Sequence, residues 1–410
     1  MVLDCSNILI VGKGAVASAL AKKLIQYSDV ENIYITSPTQ DYDFCTSVDI
    51  RENDVNGLLK FALENDIDLT IPISYKSLNS DIVSFFQSNG QNIFGPDKKC
   101  YSVFNNTISC KKFLYKIHAQ TAKFGFFNKL QNALDYIKQT AYPIIVSTLN
   151  PSSLIGDDRF VVSTVSLAAR ILEELFVNKS EQEVLIENFT NGKDFTIYYI
   201  TDGYSVLPIT SVQNYKFYKD GDRGFYTDGC GAICPDYRIS EVIYERVGTI
   251  VKNILLNFEK KGNPYIGILG IEGVLTTEDR FYVSDIKPFL QNHDARAVLN
   301  IVEEDILRLF NSCVNGSFSD EYQQIRTNNL SSVSVSVFSE KSENEIKGLD
   351  KIEDSESIDY FSNIEQTAKS ALGHNFTLTH SNSTISRARK NVYEDLTQIS
   401  FEGMHYRKDI

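Results

Sequence analysis

Tyr265–His293, YIGILGIEGVLTTEDRFYVSDIKPFLQNH, is the stretch on which the reading of this chain turns. Its first half is an apolar run broken by one acid, Glu272, and its second half, Phe281–Ile286, alternates and carries another, Asp285. The pattern predicts two neighbouring strands joined by the polar turn Thr276–Arg280. Carboxylates on adjacent strands can share a divalent cation. Magnesium takes one or two carboxylates and completes its shell with water and phosphate oxygens, so the pair suits the floor of a triphosphate site. The alternative is an ordinary hairpin with two solvated acids at its strand ends.

Working outward, Ser240–Lys260 reads as a long amphipathic helix leading into this stretch, and Lys219–Cys234 as a glycine-rich polar loop. Phe195–Ile200 and Ser205–Ile209 form a predicted hairpin across Asp202-Gly203, a turn pair suited to two-residue connections. Before it, strands at Phe124–Phe127, Tyr142–Val146 and Val184–Glu187 alternate with helices at Leu130–Thr140 and Ser163–Val177, the pattern of a small two-layer domain. At the N-terminus, Asn7–Tyr27 is a buried strand, a glycine turn and an amphipathic helix, followed by further strand and helix alternation to Phe94. That alternation predicts a parallel sheet. Gly12 and Gly14 either open a helix N-terminus to an anion or let strand and helix approach closely; G-x-G without a third glycine does not separate the two. Downstream come a helix at Glu303–Asn315, a strand at Val333–Phe338, an acidic tract at Glu340–Ser357 and a closing helix at Arg387–Thr397.

Composition narrows the class. At 410 residues the chain exceeds one core, and 42% hydrophobic with 11% aromatic residues is the make-up of a folded protein. A net charge of -13 without clustered Lys and Arg argues against a nucleic-acid surface. No apolar run is long enough to span a membrane, and the N-terminus lacks a basic secretory start, so a cytoplasmic protein is expected. Seven scattered cysteines, an odd number, fit reduced thiols; Cys230 and Cys234 have no second pair to complete a zinc site.

Several blocks carry a resemblance. They are ILIVGKGAVASALA near the start, IFGP at Ile93–Pro96, CKKF at Cys110–Phe113, VLIENFTNGKDFTIYYITDG at Val184–Gly203, LPITSVQNYK at Leu207–Lys216, TDGCGAICP at Thr227–Pro235 and FEGMHYRKDI at Phe401–Ile410. In this order, over essentially the whole chain, the sequence resembles phosphoribosylamine-glycine ligase, a family of ATP-grasp enzymes of purine synthesis. The resemblance implies an α/β ATP-grasp fold with an N-terminal parallel-sheet domain (1–104), a helical linker (105–122), a small lid (123–190), a central domain (191–325) and a C-terminal β-rich cap (326–410). It implies ATP and Mg2+, with Mn2+ as a substitute ion, and small amino acid and amine substrates; it leaves monomer or homodimer open. Such ligases activate a carboxylate as an acyl phosphate, which the amine then attacks. The alternative is a catalytically silent relative acting through binding.

Carried over position by position, the resemblance implies that Lys111 reaches the ATP phosphates, that the hinge starting at Glu187 holds adenine, and that Asp194 takes the ribose hydroxyls. Lys216 matches a lysine near the active centre, and Asp285 a metal ligand. Other positions depart from the family. Its second phosphate lysine falls on Ser147, and its glycine-rich lid loop is replaced by TLNPSSLIGD from Thr148. A metal-site asparagine has become Lys287, an arginine Phe289 and an aspartate Asn292, while Glu272 stands where the family has glycine. The expectation is that Lys287 stands in for the lost lysine among the phosphates and that Glu272 joins Asp285 as metal ligand. Ala15–Ser18 and Ile73–Leu78 have lost motif residues of the amine pocket and Asp228 adds an anion, which disfavours a phosphorylated amine.

Overall fold

The computed structural model describes residues 6–27, 29–36, 45–148, 159–179, 183–352, 357–361, 369–370 and 372–410. Most of the lid-loop replacement, residues 149–157, lies outside them. Three sheets organise these residues. The first is parallel, with strand order β3-β2-β1-β4, built from β1 (Ser6–Val11), β2 (Val30–Thr36), β3 (Thr46–Val48) and β4 (Leu69–Pro72). The apolar runs of β1 and β4 are buried on both faces, as crossover helices require. Gly12 serves close packing, because a Cβ there would lie 2.5 Å from Ile73 Cγ1.

The second sheet is the lid: β5 (Phe124–Phe127), β6 (Ile144–Thr148), β7 (Arg159–Val162) and β8 (Val184–Asn188), in the order β5-β8-β6-β7 and antiparallel throughout. Its helices Leu130–Ile137 and Val165–Glu173 bury Ala133, Ile137, Ala168 and Leu172 against it, giving the lid a core of its own. The third sheet begins with β9 (Lys193–Thr201), β10 (Val206–Lys219), β11 (Arg223–Cys234), β12 (Gly267–Leu275) and β13 (Phe281–Lys287). It continues with β14 (Ser331–Ser339), β15 (Ile358–Tyr360), β16 (Gly373–Asn382) and β17 (Met404–His405). The order β13-β12-β9-β10-β11-β14-β16-β15, with β17 on β14, makes the C-terminal strands an extension of the central sheet.

Helix Glu241–Glu259, N-capped by Ser240, lays Val247, Val251, Ile254 and Phe258 on the central sheet. The parallel sheet joins the rest through helix Ala15–Leu24 and helix Ala295–Ile301, which share one apolar core, with Phe94 stacked on Phe310 at 4.1 Å. One expectation fails here. Lys219–Cys234 is for most of its length a strand, β11, paired with β10 on one side and β14 on the other. Its glycines serve close approach: a Cβ on Gly231 would lie 2.4 Å from the Ser334 carbonyl oxygen, and one on Gly229 2.2 Å from the His293 ring.

Candidate active site

The hairpin predicted at the outset forms, and its register places Glu272 of β12 directly opposite Asp285 of β13. Glu272 is buried and Asp285 partly so. Two lysines enter between them. Lys216 of β10 reaches over β9 to Glu272 Oε2 at 2.7 Å, and Lys287 lies 2.9 Å from Asp285 Oδ2 and 3.8 Å from the same Glu272 oxygen. Burial alone would raise the Glu272 pKa, but the two ammoniums overcome it and hold the carboxyl at about 2. Burial likewise disfavours the Lys287 cation, yet Asp285 and Glu272 keep its pKa well above the ordinary value.

At the lid side lies a second pair. Lys111, on helix Thr107–Lys116, is buried and sits 2.7 Å from Glu187 Oε1 of β8, while donating to the Val283 carbonyl at 3.3 Å. The other Glu187 oxygen, Oε2, is buried with no hydrogen-bond partner. Asp194 of β9 accepts from the Tyr226 hydroxyl at 2.7 Å, and burial raises its carboxyl pKa. Arg159 of β7 lays its guanidinium over the Tyr226 ring at 4.4 Å. Lys111, Glu187, Asp194, Arg159 and Tyr226 line one cavity between lid and central sheet, of about 40 Å3. That is room for a few waters; a nucleotide needs several hundred Å3, so entry requires the lid and β11 to part.

A third network lies beneath. Asn214 donates to His293 Nε2 across 2.9 Å and Thr196 donates to Asn214 Oδ1 at 2.8 Å. His293 is buried against Gly229, and burial, with Lys216 nearby, lowers its pKa to about 3, so the imidazole is neutral. Burial raises the Asp294 carboxyl to about 7, against the Tyr198 hydroxyl, which donates to both its oxygens. Asn292 accepts the Val16 amide at the start of the first helix, tying the degenerate metal signature to the N-terminal glycine turn.

The polar groups suit a nucleotide once the cleft opens: unpartnered Glu187 Oε2, Ser147 Oγ and Arg159 Nε are buried polar atoms of the lid, and two of these residues line the cavity. A divalent ion between Glu272 and Asp285 does not fit the observed arrangement. The Lys287 ammonium stands between the two carboxylates, and among the described residues no three His, Cys, Asp or Glu side chains converge. The structure therefore brings Lys216, Lys287, Glu272 and Asp285 together and Lys111, Glu187 and Asp194 together. Lys287 sits with the carboxylates. Sequence reasoning missed Arg159 and Tyr226, since only the β6–β7 register and the position of β11 bring them to the cleft.

Comparison with known proteins identifies the family. The model of the phosphoribosylglycinamide synthetase N domain matches residues 6–103, and that of its ATP-grasp (A) domain residues 107–288. The phosphoribosylamine–glycine ligase of Clostridium acetobutylicum is 28% identical over 98% of this chain and 99% of its own length, and that of Caldanaerobacter subterraneus 27% over the same shares. Among solved structures, phosphoribosylamine–glycine ligase from Thermotoga maritima superposes with a TM-score of 0.77 at 18% identity, covering 98% of this chain and all of that one. The biotin carboxylase domain of Hydrogenobacter thermophilus 2-oxoglutarate carboxylase, solved with MgADP, gives 0.70 at 12% identity, over 98% and 91% of the two chains. The two matched segments together cover most of the chain, in order, and the chain belongs to the phosphoribosylglycinamide synthetase family, with the ATP-grasp fold.

Proposed function

We propose that this chain is an ATP-dependent carboxylate-amine ligase, joining a small amino acid to an amine through an acyl phosphate. The observation that carries the reading is the convergence of Lys111, Glu187, Asp194 and Arg159 on one cleft in which Glu187 Oε2 and Arg159 Nε are buried without partners. In this reading Lys111 faces the phosphates, the backbone after Glu187 meets adenine, and Asp194 takes the ribose hydroxyls in place of Tyr226. Lys216 and Lys287 lie where charge builds up as the phosphoryl group passes to the carboxylate. Preplaced cations lower that barrier because they need no reorganisation during the step. The amine then attacks the acyl carbon, the C–N bond forms, and inorganic phosphate leaves with the electrons of the C–O bond.

Magnesium enters this proposal as the ion carried by the nucleotide. Glu272 and Asp285 become its ligands only with Lys287 moved aside. The amino acid is glycine or a near relative, as for the ligases named above. The amine is a phosphoribosylamine or a different amine, and the added anion Asp228 favours the second. A cytoplasmic place belongs to the same proposal; among the described residues no helix is long and apolar enough to cross a membrane.

The test is ADP release by the purified chain with ATP and magnesium, across a panel of amino acids and amines. ADP release that needs both an amino acid and an amine supports the ligase. No release with any pair, together with no ATP binding, would favour the catalytically silent relative.

A further inference from the structure

The family resemblance leaves a gap at Ser147, where a second phosphate-directed lysine is expected on β6. In the lid sheet the residue registered directly opposite Ser147 is Arg159 of the antiparallel neighbour β7. Side chains of directly opposed residues leave the sheet on the same face, so Arg159 offers its cation from the face on which a longer residue 147 would have offered one. It reaches the nucleotide cleft, which its side chain lines together with Lys111, Glu187 and Asp194.

Two further observations point to a missing anion. Arg159 takes part in no ion pair among the described residues, although acids lie close enough to favour its charge. Its Nε is buried without a hydrogen-bond partner, and so is Ser147 Oγ beside it. A buried guanidinium whose donor lacks an acceptor is costly, and a planar donor fork is suited to phosphate. The ring of Tyr226 holds the guanidinium by a cation–π contact at 4.4 Å.

We propose that Arg159 supplies from β7 the phosphate-directed cation that β6 has lost at Ser147, so that a nucleoside triphosphate or diphosphate is gripped by Lys111 and Arg159 together in the one cleft they line. This assignment rests on the nucleotide reading of the site. It makes Arg159 a binding residue rather than a plug that closes the cavity.

Titration calorimetry with ATP, ADP and adenosine, on the full chain and three variants, separates the outcomes. Arg159→Ala is expected to weaken ATP and ADP by roughly ten- to a hundredfold while leaving adenosine within about twofold. Ser147→Lys in the Arg159→Ala background is expected to restore most of the loss, because it returns a cation to the opposed position. Arg159→Lys should fall between wild type and Arg159→Ala, since it keeps the charge without the fork. Far-ultraviolet circular dichroism and the unfolding midpoint establish that each variant is folded. If wild type binds ATP and Arg159→Ala binds it equally or more tightly, Arg159 is not a phosphate ligand, and the nucleotide reading survives. If wild type binds adenosine and ATP not at all, both fall.

Discussion

The two halves of the cleft are built on the same residue types and differ in how completely they satisfy themselves. At the floor, Lys216, Glu272, Lys287 and Asp285 form a closed chain in which every charge faces its opposite within 4 Å. At the lid wall, Lys111 and Glu187 pair, but Glu187 Oε2, Arg159 Nε and Ser147 Oγ remain buried without partners. A closed network stabilises the apo fold and must be opened before a ligand enters; an open one is ready for a ligand and costs stability until it arrives. The lid wall is thus built to receive a polar ligand, and the floor guards its carboxylates with tethered cations.

The sharpest break of this comparison is on the lid wall. Lys111→Met should destabilise the protein by about 3–5 kcal/mol, because it strands the Glu187 carboxylate in a buried site, and urea unfolding measures it. A loss below about 1 kcal/mol would mean that water reaches Glu187 freely. On the floor, Asp285→Asn should cut ATP turnover by about 10²–10³-fold with the fold intact, in line with losing one charged group of a preorganised site. Unchanged turnover would place the chemistry elsewhere. Lys287→Asn should sharpen the contrast by exposing Glu272 and Asp285 to magnesium: the magnesium dependence of ATP affinity should steepen by at least about tenfold in calorimetry. An unaltered dependence would show that Lys287 does not compete for the cation position.

The smallest expected effect concerns pH. Burial raises the Asp294 carboxyl to about 7, so between about pH 4 and 7 the folded protein binds this proton more tightly than the unfolded chain does. Its contribution is therefore fully present below about pH 4 and is lost as pH rises through 7. Asp294→Asn should flatten that part of the urea-midpoint profile, and an unaltered slope would show that the carboxylate is already ionised in the fold. His293 works in the opposite sense over neighbouring pH: its pKa of about 3 favours the neutral ring, so its contribution grows as pH rises from 3 toward 6.5.

Much of the fold was legible because it is written in local patterns. The alternation from Asn7 to Phe94, the Asp202-Gly203 hairpin and the helix ahead of Tyr265 all rest on periodicity, and the structure keeps all three, although it adds β3 to the first and runs the second hairpin strand ten residues further, to Lys219. β11 was misread because its glycines signal a loop locally, whereas Gly229 and Gly231 are required by His293 and the Ser334 backbone, contacts made across the sheet. The pairing of Glu272 with Asp285 was legible from two strands and one turn. That Lys216 crosses β9 to Glu272, and that Arg159 stands opposite Ser147, follows from strand order and register, which no single stretch encodes.

The central claim is that ATP binds between the lid and the central sheet. Hydrogen exchange of the backbone amides with and without saturating ATP tests it most directly. The account predicts slower exchange on both walls together, at β6 to β8 of the lid and at β11 to β13 of the central sheet, with little change in the parallel sheet of the N-terminal domain. Equal exchange on both walls in the presence of bound ATP, or protection confined to the N-terminal sheet, would contradict it.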